Sequence, residues 1–148
     1  MADVRDAPPS DLETSFGLLK GAARGDIAAQ RDLADRSVLL AQSRSDLNPL
    51  SVLSDGLIFA RLAASQGDAR DDRRVISMLA LMGDLCDQLG DADNGEVFAA
   101  EYIARISLLA DQGGELADMA LGKAANNATP AIMTLALDYE RAIRAGGG

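Results

Sequence analysis

The run DDRR at positions 71–74 contains the side chains of this chain that could bind a ligand most directly. Adjacent arginines present planar guanidinium groups, which bind carboxylates through paired hydrogen bonds. The two aspartates have a simpler explanation, because carboxylates near the start of a helix interact favourably with the helix dipole. The chemistry predicted here is therefore recognition of carboxylates on a partner by Arg73 and Arg74.

No other residue pattern predicts catalysis or metal binding. Cys86 is the only cysteine and lies in the apolar run MLALMGDLC, and the chain has no histidine that could activate its thiol. The run DADNGE at 91–96 is similar to a calcium loop, but Gly95 falls at loop position five and Tyr102 at position twelve, where a glutamate is needed. We expect no enzyme activity, no metal and no cofactor.

The charge of the chain restricts its partners. Its 23 acidic and 14 basic side chains give a formal net charge of −9, which disfavours binding to nucleic acid. No apolar run reaches the ~18 residues typical of a membrane span. The N-terminal stretch MADVRDAPPSD does not have the pattern of a secretory signal. The expected location is the cytoplasm, with neither nucleic acid nor membrane as a partner.

Glycine, proline and capping residues divide the chain into seven helical segments, and no alternating pattern predicts a strand. The predicted helices span about 10–24, 27–43, 49–66, 69–89, 96–112, 115–125 and 129–145. Asp26 and Asp68 are predicted to cap the second and fourth helices, and 90–95 is predicted to be a turn. We expect a flexible arm at 1–9, a helical domain at 10–145 and a disordered tail at 146–148.

Apolar residues at helical spacing predict which helix faces are packed. In the second helix these residues are Ile27, Leu33, Val38 and Leu39. In the fourth helix they are Val75, Met78, Leu79, Met82, Leu85, Cys86 and Leu89.

A short phrase recurs three times along the chain. The copies are GAARGDIAAQRDLA at 21–34, LAASQGDARDDRRV at 62–75 and LLADQGGELADMAL at 108–121. Their glycines, Gly25, Gly67 and Gly113, are 42 and 46 residues apart. Each phrase closes one predicted helix and opens the next, which is typical of stacked two-helix units.

These phrases resemble the junctions of Sel1-like repeats, which are relatives of the tetratricopeptide repeats. The matching positions in the first copy are Ala22, Gly25, Asp26, Ala29, Gln30 and Leu33. The second copy departs at Asp71 and Asp72, where alanine and glutamine are usual, and the third has Gly114 in place of the acidic residue. The resemblance implies an all-α fold, a short right-handed α-α superhelix (solenoid) of about seven antiparallel helices. A compact, non-repetitive helical bundle is the structural alternative.

The family resemblance also implies a function, that of an adaptor or scaffold that binds another protein or peptide. If helices 2, 4 and 6 line the inner surface, as in the family, the residues expected to meet the partner are Arg31, Asp35, Arg73, Arg74 and Ser77. Two alternatives remain open. One is a structural component that forms a homodimer through apolar helix faces, and the other is an accessory subunit of an enzyme complex.

Overall fold

The computed structural model describes residues 11–146, which form seven helices and contain no strand. The helices are α1 (Asp11–Ala23), α2 (Ile27–Ser43), α3 (Pro49–Ala64), α4 (Ala69–Leu89), α5 (Ala92–Asp111), α6 (Glu115–Asn127) and α7 (Pro130–Gly146). This confirms the predicted all-α class. The predicted arm at 1–9 and the last two residues of the predicted tail lie outside the described residues, whereas Gly146 ends α7. Within 11–146, no helix combines the length and the apolar character that crossing a bilayer requires.

Polar side chains start most of the helices. The carboxylate of Asp26 accepts hydrogen bonds from two amides of α2, and that of Asp68 accepts one from α4, which confirms both predicted caps. Asn48 caps α3 and the Thr129 hydroxyl accepts from α7 in the same manner. These bonds satisfy amides that have no partner inside a helix. Helix α6 differs, because it begins after Gly114, which offers no side-chain acceptor.

The turn predicted at 90–95 is much shorter in the structure. Gly90 has φ of 70° and ends α4, and α5 begins at Ala92, four residues earlier than expected. The Asp91 carboxylate makes this possible, because it accepts hydrogen bonds from the Asn94 backbone and side-chain amides at 3.3 and 2.7 Å. One left-handed glycine followed by a capping aspartate thus separates α4 from α5. The other helix ends lie within two residues of their predicted positions.

The three repeated phrases end their helices with the same backbone geometry. Gly25, Gly67 and Gly113 have φ of 93°, 96° and 93°, a region in which glycine avoids the clash of a β-carbon. In each case the glycine amide donates to the carbonyl of an alanine three residues earlier, at 2.9–3.1 Å. The sequence similarity of these phrases therefore corresponds to a shared local conformation.

A buried glutamine joins the first two junctions. The side-chain amide of Gln30 donates to the Ala22 carbonyl, and its oxygen accepts from the Gln66 side chain, both at 3.1 Å. Gln30 is almost wholly buried, so these two bonds satisfy an amide that would otherwise destabilise the interior. The link holds the ends of α1 and α3 against the start of α2.

Each helix from α1 to α5 packs against the next along the chain, and both α6 and α7 pack on α5. The main core lies among α2, α3 and α4. Its buried members are Ala34, Leu53, Leu57, Ala60, Ala64, Val75, Met78, Leu79 and Met82. The face predicted for α4 is confirmed over most of its length, whereas Leu89, in the last turn, is exposed.

The packed face of α2 matches the prediction only in part, since Val38 packs on the main core. Leu39 is 65% exposed, and the buried side of the helix consists of small or polar residues, including Ala29, Ala34 and Ser37. The reason is the close approach of α3. A β-carbon added at Gly56 would lie 1.8 Å from the Ser37 hydroxyl oxygen, so only small side chains fit between these helices.

A second, smaller core joins α5 and α7 through Ala100, Ile103 and Ala136. Helix α6 has no buried residue and contributes only partly buried side chains, such as Leu121 and Ala124, to this core. The C-terminal helices are thus held by far less buried apolar surface than the helices before them.

Candidate functional site

The first turn of α4 contains a fully buried carboxylate, Asp71. Arg31 of α2 donates to both of its oxygens, from Nε at 2.9 Å and from Nη2 at 2.7 Å. Arg74 donates to it from Nη1 at 2.9 Å. A charge taken out of water is costly unless it is paired and hydrogen-bonded. These two arginines supply that pairing and thereby join α2 to α4.

The pairing extends outward on both sides of Asp71. Arg74 also donates to Asp35 of α2 at 2.8 and 3.3 Å, and Arg31 reaches Asp68 at 3.3 Å. Hydrogen bonds from the side chain and the backbone amide of Arg70 lower the pKa of Asp68 to about 2. We call Arg31, Asp35, Asp68, Asp71 and Arg74 the α2–α4 ion cluster. Three of the five residues predicted to bind a partner are therefore engaged within the chain.

A second buried carboxylate, Glu101, lies in α5. Arg61 of α3 donates to it from Nε at 3.1 Å and from Nη2, and Arg105 donates from Nε at 2.8 Å. Burial alone would raise the pKa of Glu101, but hydrogen bonds and charges, first from Arg61 and then from Arg105, outweigh it and keep the pKa below its ordinary value. Arg105 also lies 3.7 Å from Asp72. We call these four residues the α3–α5 ion cluster.

The two remaining predicted residues, Arg73 and Ser77, are exposed on α4. Arg73 forms no ion pair with any side chain that the structure describes. It borders an open groove of about 550 Å³ between α2 and α4, which we call the α2–α4 groove. The same groove is lined by Asp35, Arg74 and Ser77, so it brings together four of the five predicted residues.

Arg73 also borders a second groove, of about 620 Å³, on the other side of α4. Helices α4 and α6 both pack on α5 but not substantially on each other. Part of α5 is therefore left uncovered between them. The apolar lining of this α4–α6 groove is Ile76, Tyr102, Ile106, Leu109, Leu116, Ala117 and Ala120. Leu116 is 82% exposed.

The sequence contains a signal for the buried acid that the prediction missed. Asp71 precedes Val75, Met78 and Met82 at intervals of four, three and four residues, so it continues their buried stripe. An aspartate in that register has to meet a cation. No comparable signal exists for the α4–α6 groove, because Tyr102, Ile106 and Leu109 have the pattern of an ordinary packed face. Only the separation of α4 from α6 leaves Tyr102 and Leu109 partly exposed, whereas Ile106 is buried.

Cys86 is buried, as predicted, and burial is the main cause that raises the pKa of its thiol. The thiol is therefore protonated at neutral pH and a poor nucleophile. Among residues 11–146, no group of three or more histidine, cysteine, aspartate or glutamate side chains is arranged to hold a metal ion.

No family model, curated protein or solved structure matches this chain.

Proposed function

We propose that this chain is a cytoplasmic protein-interaction module, built as a short α-α solenoid, that binds another protein or peptide and performs no chemistry of its own. The surface proposed for binding is the face that contains the α2–α4 and α4–α6 grooves. The observation that carries the proposal is the position of Arg73, an exposed arginine at the border of both grooves that forms no ion pair with the described side chains.

Two features support the solenoid arrangement. The three junction glycines share one backbone conformation and one hydrogen-bond pattern, as units of a repeat would. Packing is mostly between helices adjacent in sequence, and short connections favour antiparallel neighbours. Gly114, which replaces the capping acid in the third copy, makes this junction the most divergent.

Physical chemistry explains why Arg73 is the best candidate for partner contact. Arg31 and Arg74 are committed to the buried Asp71, so a partner could use them only by breaking a buried pair. Arg73 has no such commitment, and its guanidinium can form a charge-assisted pair with a partner carboxylate. The apolar lining of the grooves adds surface that a partner can cover.

The test is affinity capture from the lysate of the cells that make the protein, with the wild-type chain and the Arg73→Glu variant as baits. Because the variant loses a charged contact and gains repulsion, it should bind a specific partner at least about tenfold more weakly. Helicity and melting temperature should not change, because Arg73 is exposed.

Arg141→Glu is the matched control, because it makes the same change of charge at an exposed arginine of α7 that borders neither groove. The proposal expects proteins that bind the wild type and Arg141→Glu but not Arg73→Glu. If all three baits retain the same partners, the face around Arg73 is not the binding surface.

A second candidate is a structural component that forms a homodimer. Exposed apolar side chains on the first three helices favour it, since Phe16, Leu39 and Ile58 are each more than half exposed. Sedimentation of the purified protein separates the two ideas, because an adaptor is expected to be monomeric and a homodimer to dissociate on dilution. If the captured partner is an enzyme, the module is its accessory subunit.

A further inference from the structure

We infer that the α4–α6 groove binds a short amphipathic helix of the partner protein, one that presents a bulky apolar side chain next to a carboxylate. This inference rests on the proposed function, since it assumes that the face around Arg73 binds a protein. The inference specifies which groove the partner occupies and which kinds of side chain its binding segment carries.

The apolar part follows from the lining of the groove. Its floor consists of the partly exposed Tyr102 and Leu109 of α5 over the buried Ile106, and Leu116, which is 82% exposed, forms part of one wall. The volume of about 620 Å³ lies within the range of about 300–1,000 Å³ found for ligand pockets. Covering these side chains removes apolar surface from water, which favours a bulky aliphatic or aromatic residue.

The carboxylate follows from charge complementarity at the rim. Arg73 is the one cation that lines the groove and Glu115, at the start of α6, is the one acid; Arg73 forms no ion pair with Glu115 or with any other described side chain. A carboxylate on the bound segment would pair with it. A segment that is merely acidic should not bind, because the chain has a net charge of −9 and repels it. Apolar and acidic groups are therefore required together.

The shape of the groove favours a helix as the bound form. Its two walls are helices, and its floor is the uncovered side of a third helix. A helical segment buries apolar residues spaced three or four apart along one stripe and can place a carboxylate at the edge of that stripe. The α2–α4 groove is less suitable, because Asp35 and Arg74, which line it, are already paired with each other.

The first experiment selects binders from a displayed library of random peptides, with the purified wild-type chain as target and Arg73→Glu for counter-selection. The expected sequences combine Asp or Glu with Leu, Ile, Phe or Met three or four residues away. A synthetic peptide of the enriched sequence should bind Arg73→Glu at least about tenfold more weakly than the wild type. Replacing its carboxylate with an amide should cause a similar loss.

Two further variants locate the bound peptide. Leu116→Asp should abolish binding and leave helicity unchanged, because this side chain is exposed and α6 has no buried residue. Lys123→Glu is the control, since it makes the same charge change as Arg73→Glu at an exposed position of α6 outside both grooves. Amide shifts in an NMR titration should concentrate at Ile76, Ile106 and Leu116.

Three results would overturn the inference: enriched peptides without the acidic-apolar pattern, equal binding to the wild type and Arg73→Glu, or shifts centred on another surface. If lysate capture depends on Arg73 while one of these results holds, the proposed function stands and only the assignment of groove and segment fails. If capture is also independent of Arg73, both fail.

Discussion

Helices α2–α5 and helices α6–α7 are similar in composition but are stabilised very differently. The first group contains the main core and both ion clusters. In the second group, α6 has no buried residue and α7 has only Ala136. The difference lies in the number of neighbours, because a helix buries a wide apolar face only when other helices flank it on two sides.

The two groups also have different roles around the α4–α6 groove. Helices α2–α5 are joined by the buried carboxylates of Asp71 and Glu101 and the arginines that pair with them. Helix α6 packs mainly on α5 and forms one wall of the α4–α6 groove. Regions with few buried contacts open at a lower free energy than the core.

Asp71→Ala should remove the strongest link between α2 and α4. It deprives Arg31 and Arg74 of a fully buried partner, and breaking such a pair costs about 3–5 kcal/mol. Both arginines are partly exposed, so we expect a loss near the lower end of this range in urea unfolding. Asp138→Ala, which breaks an exposed pair on α7, should change stability very little. Equal effects of the two substitutions would show that the buried cluster is not what stabilises the first group.

Gly56→Ala should destabilise the same group through overpacking. The added β-carbon would collide with Ser37, and such overpacking costs about 1–3 kcal/mol, against a gain of about 0.5–1 kcal/mol in helix propensity. The matched control is Gly83→Ala in α4, where nothing lies within 4 Å of the new atom and about 0.5–1 kcal/mol should be gained. Adding Ser37→Gly should rescue the first variant, and failure of this rescue would contradict the assigned contact.

Gly122→Ala should stabilise α6 without affecting the main core. Its new β-carbon meets nothing within 4 Å, so α6 gains about 0.5–1 kcal/mol of helix propensity. Amide exchange within α6 should slow by about twofold to fivefold, while the urea midpoint stays the same. A matching increase in global stability would mean that α6 unfolds together with α2–α5 and that the two regions are not separate.

Much of the helical layout could be predicted because short-range chemistry determines it. Glycines with positive φ end helices, and Asp26 and Asp68 begin them, all within a few residues of sequence. The prediction of a turn over 90–95 was wrong for a related reason. Asp91 caps α5 so early that residues with poor helix propensity, such as Asn94 and Gly95, are held in the helix.

The candidate site was less predictable because it depends on pairings between distant residues. Arg31 meets Asp71 and Arg61 meets Glu101, each 40 positions away, and no local pattern links them. Arg73 and Arg74 are adjacent arginines, but Arg73 is exposed whereas Arg74 is paired with the buried Asp71. Their difference reflects the helical register relative to α2, which becomes visible only when the helices are placed together.

Most helices pack on the next one along the chain, and this order affects how the chain folds. Most helix contacts join segments close in sequence, so little loop-closure entropy opposes them, and low contact order is associated with folding in microseconds to milliseconds. The pair α2–α3 can form first and serve as a template for α4 and α5. The return of α7 to α5 crosses the whole of α6 and comes last in the order of the chain. Synthesis from the N-terminus thus completes α2–α5 before α6, which forms one wall of the α4–α6 groove, is added.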